Sequence, residues 1–238
     1  MAGVRITSMH GIFGVGELLE WQSIFLSMFV YIVIVNSYNL IDGIDGLAGG
    51  IGLINAIFFG VWFYFTGNVP MALLSAVLAG ALLGFLFFNF SPAKIFMGDS
   101  GSLIVGAIIC VLAIEMIGDS SSRIYPDMWV FNKIPTPVYA MSVLVYPLID
   151  TIRVFTIRMF QGKSPLTADR NHIHHKLLDL GLSHKKTCLV VYLYSVVVVA
   201  ISLFLAIENP TISFLAAIFI AFTLAGILFL FKSKKSNA

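Results

Sequence analysis

Charge is scarce in this chain, and cysteine is scarcer still. Asp, Glu, Lys and Arg make up 11% of its 238 residues, too few to give a set of helices one solvated face each. The two cysteines, Cys110 and Cys188, both lie inside apolar runs. They read as small buried hydrophobes, not as a disulfide or a metal pair. Residues 1–21 lack the basic stretch and apolar run of a signal peptide. What is present is 59% apolar residues at a mean hydropathy of +0.97, the composition of an integral membrane protein. The net charge of +2 says little by itself, and where the charges lie says more; no nucleic-acid partner is expected.

Seven apolar stretches are long enough to span as helices. They run from Ser23 to Val35 and on through Leu40, Leu47 to Phe65, Val69 to Phe88, Leu103 to Ile117, Pro137 to Phe155, Thr187 to Ile207, and Ile212 to Phe231. Pro147 is expected to kink or weaken the fifth. Alternating spans place eleven Lys and Arg on the side of loops 36–46 and 89–102, of the segment from Arg153 through loop 156–186, and of the tail. Only Arg5, Arg123 and Lys133 fall on the other. The positive-inside rule makes the richer side cytoplasmic. The expected fold is therefore all-α: a single polytopic membrane domain over 1–238, about seven helices, residues 1–21 periplasmic and the C-terminus cytoplasmic. Val4 to Gly14 alternates loosely, as a short hairpin would. An outside N-terminus that opens on such a loop suggests a chain that begins partway through a longer one.

Three polar motif groups fall on the cytoplasmic side. In Asn36 to Gly46, Asp42 and Asp45 lie three apart, each followed by glycine. Carboxylates and amides are the oxygen ligands hard cations prefer, although Asx-Gly is equally a common turn. In Asn89 to Ser102, Asp99 stands between two glycines just before an apolar helix. A helix N-terminus suits phosphate and an adjacent Asp suits Mg²⁺; a simple helix cap is the plainer alternative. This loop is not a Walker A sequence.

The third group holds four of the five histidines within thirteen residues, on a loop where Lys163, Arg170 and Lys176 flank His172, His174 and His175. Zinc would want four ligands, and no Cys or His-Glu-x-x-His set accompanies them. Donors to a diphosphate fit better, with attraction of anionic membrane lipid as the bland alternative. Asp150 and Arg153, one turn apart, read as an intrahelical ion pair.

Together the runs Asn39 to Ala48, Phe96 to Leu103 and Ser164 to Leu177 resemble the polyprenyl-phosphate N-acetylhexosamine-1-phosphate transferases of glycosyltransferase family 4. The His-x-His-His form after Asp169-Arg170 resembles the branch that uses UDP-N-acetylglucosamine. The resemblance implies transfer of N-acetylglucosamine-1-phosphate from UDP-GlcNAc to undecaprenyl phosphate with release of UMP. That is the first membrane step of a cell-envelope polysaccharide, made at the cytoplasmic face of a bacterial inner membrane. It also implies Mg²⁺, with Mn²⁺ as an alternative, and is compatible with a homodimer.

Carried over by position, Asp99 and Asp42 resemble the metal-binding aspartates, and Asp45 belongs to the same nucleotide and metal region. Asn89 and Phe96 match positions that hold the uracil, with Asn39, Gly43 and Ile44 in that region. His172, His174 and His175, with Arg170 and Lys163, match the loop that closes on diphosphate and sugar. Apolar grooves between spans would hold the lipid tail.

The family also carries an adjacent aspartate pair on an upstream loop, and this sequence has no two aspartates side by side. The expectation is an N-terminally truncated member with little transferase activity by itself. An inactive remnant or partner fragment is one competing reading. A transporter is another, disfavoured because the histidines lie on one side and not at the midplane.

Overall fold

The computed structural model describes residues 4–118, 134–162, 172–205 and 209–230. Apart from a 3-10 turn at Ile12–Gly14 and one antiparallel bridge, Ser8 with Glu17, regular structure there is α-helical. The helices are α1 (Glu20–Ile41), α2 (Leu47–Thr66), α3 (Val69–Asn89), α4 (Gly98–Gly118), α5 (Thr136–Val143), α6 (Val145–Phe160), α7 (Ile173–Asp179), α8 (His184–Phe204) and α9 (Pro210–Leu230).

Among the described residues, each expected apolar stretch falls largely on helix. Five, α1 to α4 and α8, are long and apolar enough to cross a membrane, and α5 with α6 makes a sixth candidate if taken together. The last stretch becomes α9, apolar along 210–226. In hydrocarbon only hydrogen bonds made within the protein can satisfy the backbone, so apolar runs of this length fold as helices.

The fifth expected span is corrected: it breaks at Leu144, where α5 and α6 diverge by 77°. Pro147 has no N–H for the carbonyl of Val143 four residues back, and its ring crowds that carbonyl. The freed carbonyl is taken up from another span. In the orientation that satisfies both of its ends, the fully buried Asn55 amide of α2 donates to Val143 O at 2.8 Å and accepts from the Tyr38 hydroxyl of α1 at 2.6 Å. One side chain thus ties α1, α2 and the break together.

The hairpin lies later than Val4 to Gly14. Leu18 N–H donates to Thr7 O and Met9 N–H to Gly16 O, around the 3-10 turn. It sits at the end of the bundle where α4 finishes, with His10 Nε2 2.7 Å from Ile117 O and Phe13 N–H donating to Thr211 Oγ1 of α9. The polar motifs gather at the opposite end.

Asn55→Leu keeps the volume and strands both Val143 O and the Tyr38 hydroxyl. A loss of about 1–3 kcal/mol in resistance to unfolding in detergent is expected. Unchanged unfolding would show that the break does not depend on this amide.

Candidate active site

The chain leaves α1 at Asp42 and enters α2 at Leu47; it leaves α3 at Asn89 and enters α4 at Gly98. Both loops lie at the same end because both follow an upward span and precede a downward one. Asn89, buried at the end of α3, stitches them together. Its Oδ1 accepts from Gly46 N–H at 2.9 Å and its Nδ2 donates to Ile95 O at 2.9 Å. Asp45 Oδ2 accepts from Ala93 N–H and lies 3.6 Å from His184 Nδ1 at the head of α8. From α8 the Tyr192 hydroxyl donates to Gly46 O and the Cys188 thiol to Asp45 O, so one side of that helix clamps the loop backbone.

Asn39 sets the next layer. Its Nδ2 donates to Asp99 Oδ1 and to Ser102 Oγ, each at 3.1 Å, fixing the first turn of α4 against the end of α1. Burial, and then the like charge of Asp99 nearby, push the Asp42 carboxyl up to about 6. Repulsion between two carboxylates is what a shared divalent cation relieves. Hard oxygen donors in this arrangement fit Mg²⁺, which takes one or two carboxylates and fills its remaining positions with water and phosphate. Among the described residues no group of three or more His, Cys, Asp or Glu gathers as a closed metal site.

The histidine segment is held from below by the broken helix. His172 Nδ1 lies 2.7 Å from Asp150 Oδ2, and Asp150 Oδ1 accepts from Ile173 N–H at 2.7 Å, the first N–H of α7. A free helical N–H is thereby satisfied by a carboxylate from another helix. His174 is fully buried, with its Nδ1 3.4 Å from the Tyr146 hydroxyl. Its Nε2 has no hydrogen-bond partner among the described residues and rests on the backbone of Gly43, where a Cβ would come within 2.6 Å. Only a glycine lets the imidazole approach so closely. Burial dominates here and lowers the His174 imidazole to about 3, with Asp150 pulling the other way. His175 is half-buried, its ring 4.3 Å from that of His174.

The structure brings Asn39, Asp42, Gly43, Ile44, Asp45, Asn89, Phe96, Asp99, His172, His174 and His175 to one end of the bundle. Gly43, Asp99 and Phe96 are exposed, Ile44, Asn89 and His174 are buried and shape the site from behind, and His172 is 4% exposed. Lys163 and Arg170 lie outside the described residues. Asp150 was read from sequence as an ion pair with Arg153. The structure gives it a different task, spending both carboxylate oxygens on the histidine segment. A carboxylate inside an apolar span beside Tyr146-Pro147 is the signal that could have found it. Tyr146 and Tyr192 were also missed, since nothing in one sequence sets them apart from core aromatics, and His184 was counted with the histidine group but given no role.

Apolar spans that gather carboxylates, amides and histidines at one end define a polytopic helical membrane protein with a polar site at that end. The family model described as glycosyl transferase family 4 matches residues 1–117. Curated relatives agree with it. A decaprenyl-phosphate N-acetylglucosaminephosphotransferase of Mycolicibacterium smegmatis is 39% identical, over 76% of this chain and 47% of the relative. A probable undecaprenyl-phosphate N-acetylglucosaminyl 1-phosphate transferase of Bacillus subtilis is 40% identical, over 74% and 46%. An undecaprenyl-phosphate alpha-N-acetylglucosaminyl 1-phosphate transferase of Escherichia coli is 27% identical, over 82% and 52%. The chain belongs to glycosyl transferase family 4. It spans about half the length of the curated relatives it matches.

The His174 shift has a pH consequence. An imidazole held near 3 in the fold but free to titrate near its ordinary 6.5 when unfolded contributes stability that is complete above about 6.5. That contribution is lost as pH falls toward 3, by up to about 1.4 kcal/mol per pH unit. Asp42, raised in the fold, acts in the opposite sense over its own range. Comparing unfolding of the parent and His174→Gln from pH 7 to 5 isolates the histidine. The parent is expected to lose more stability on acidification, and parallel curves would contradict the assignment.

Proposed function

We propose that this chain supplies the nucleotide-sugar site of a Mg²⁺-dependent phosphoglycosyl transferase. The reaction is transfer of N-acetylglucosamine-1-phosphate from UDP-GlcNAc to a polyprenyl phosphate, with release of UMP. The observation that carries the reading is the meeting of Asp99, from the head of α4, with Asn39 and Asp42, from the end of α1, beside the histidine helix. The printed names of the relatives support the same chemistry.

The phosphate oxygen of the lipid attacks the phosphorus that carries the sugar. A new P–O bond forms as the bond to the oxygen of UMP breaks, and UMP leaves with that electron pair. The obstacle is repulsion, because an anion must approach a phosphorus ringed by negative oxygens. Bound Mg²⁺ would neutralise diphosphate charge and stabilise the leaving UMP. Asp99 and Asp42 would hold the ion, with Asn39 keeping Asp99 in place through its amide N–H. The Phe96 ring, 78% exposed, offers a stacking face for uracil. His175, with Lys163 and Arg170, would donate to diphosphate and sugar.

A groove between α6 and α9, lined by Val145, Ile149, Ile152, Phe214 and Phe222, offers apolar surface to the polyprenol tail. The site would face the cytoplasm at a bacterial inner membrane, in keeping with the basic loops on its side. A homodimer is compatible with this arrangement.

Titration of UDP-GlcNAc into the chain in nanodiscs, with and without Mg²⁺, tests the reading, with UMP release on addition of undecaprenyl phosphate as the activity arm. Mg²⁺-dependent binding is expected, weakened about tenfold or more in Asp99→Asn, in line with loss of a charge-assisted contact. A folded parent that binds no UDP-GlcNAc would overturn the proposal.

A further inference from the structure

The two arms of the broken helix do different work. On α6 the faces diverge: Ile149 and Ile152 line the apolar groove against α9, while Tyr146 and Asp150, one turn apart, meet the histidine segment. Asp150 has no exposed surface, and His172 is 4% exposed. A carboxylate in such a place is tolerable only when its oxygens are taken up, and an ionised carboxylate can only accept. One oxygen accepts from Ile173 N–H, so its position relative to α7 is fixed. The other lies 2.7 Å from His172 Nδ1, which must then be the nitrogen that bears hydrogen. The His172 ring in turn stacks on His174, centroids 5.4 Å apart and planes 16° from parallel.

We propose that Asp150 is a positioning residue for the transfer reaction. By accepting from Nδ1–H it sets the tautomer and tilt of His172, leaving Nε2 as the nitrogen offered to the nucleotide sugar. Nε2 accepts when the ring is neutral and donates to a diphosphate oxygen when the ring is protonated beside the carboxylate. His175 and His184 are coupled by charge to His174, and Tyr146 meets His174 from the α6 side. The proposal rests on the transferase reading for the identity of the ligand; the hold of Asp150 on His172 stands apart from it.

The test uses the full chain in nanodiscs with ¹⁵N-labelled histidine. His172→Gln assigns the His172 signals, and Asp150→Asn is the probe. Asn keeps an oxygen for Ile173 N–H but presents an N–H₂ that Nδ1–H cannot donate to. In the parent, Nδ1 of His172 is expected to carry the proton; in Asp150→Asn the proton should move to Nε2. UDP-GlcNAc affinity should fall about tenfold in Asp150→Asn and in His172→Gln, and no further in the double variant. An unchanged tautomer in Asp150→Asn, or losses that simply add, would overturn the proposal. So would an Asp150→Asn chain that fails to fold while His172→Gln folds normally, since Asp150 would then be a fold element alone. If the parent binds no UDP-GlcNAc, the transferase reading fails, and the tautomer measurement still decides whether Asp150 sets His172.

Discussion

A buried amide or carboxylate in an apolar bundle must find its partners inside the protein, and that requirement shapes each end and break of this fold. Asn89 satisfies it by joining the loops after α1 and before α4. Asn39 does so by binding the head of α4 to the end of α1. Asp150 reaches across to the first N–H of α7. Each contact links segments far apart in sequence, so the same bonds that remove the cost of burying polar groups also assemble the site. Burial of the Asp42 carboxyl, and then its repulsion with Asp99, is an unfavourable feature that lies where a cation and phosphates would relieve it.

The break between α5 and α6 follows from the same requirement. Proline removes a donor from a span, Asn55 replaces it from a neighbouring helix, and the chain turns by 77° without an orphaned carbonyl at Val143. The turn points α6 so that its polar face meets the histidine segment and its apolar face opens toward α9. A straight span would leave Asp150 without that partner. The far end is simpler, with the hairpin fastened to the last turn of α4 through His10 and to α9 through Phe13.

Much of this could be read from the chain alone, for physical reasons that differ from case to case. Runs of about twenty apolar residues have few alternatives to spanning helices, so α1 to α4, α8 and α9 were evident from composition and length. The aspartate, Gly-Asp-Ser-Gly and histidine motifs stood out because polar residues are rare here. Pro147 announced a weakened helix, but not its angle, which depends on Asn55 from another span. Asp150 was misread because a basic residue one turn away offers a local partner, and sequence does not show a competitor that arrives from a distant loop. The burial of His174 was hidden for the same reason: Gly43 makes room for it, and a single sequence does not say which side chain uses the space.

Within the family, this half-length chain brings together residues suited to nucleotide, diphosphate and metal from three separate segments, and the claim that they form one site is the central one. Photolabelling tests it most directly: the chain in nanodiscs is irradiated with a 5-azido-uridine analogue of UDP-GlcNAc, and the adducts are mapped by mass spectrometry. Labelling confined to peptides containing Asn89 to Gly101 and the Asp42 to Gly46 loop, protected by unlabelled UDP-GlcNAc, is the result this account predicts. Protected labelling at the opposite end, on the hairpin around Ile12–Gly14 or the head of α9, would contradict it.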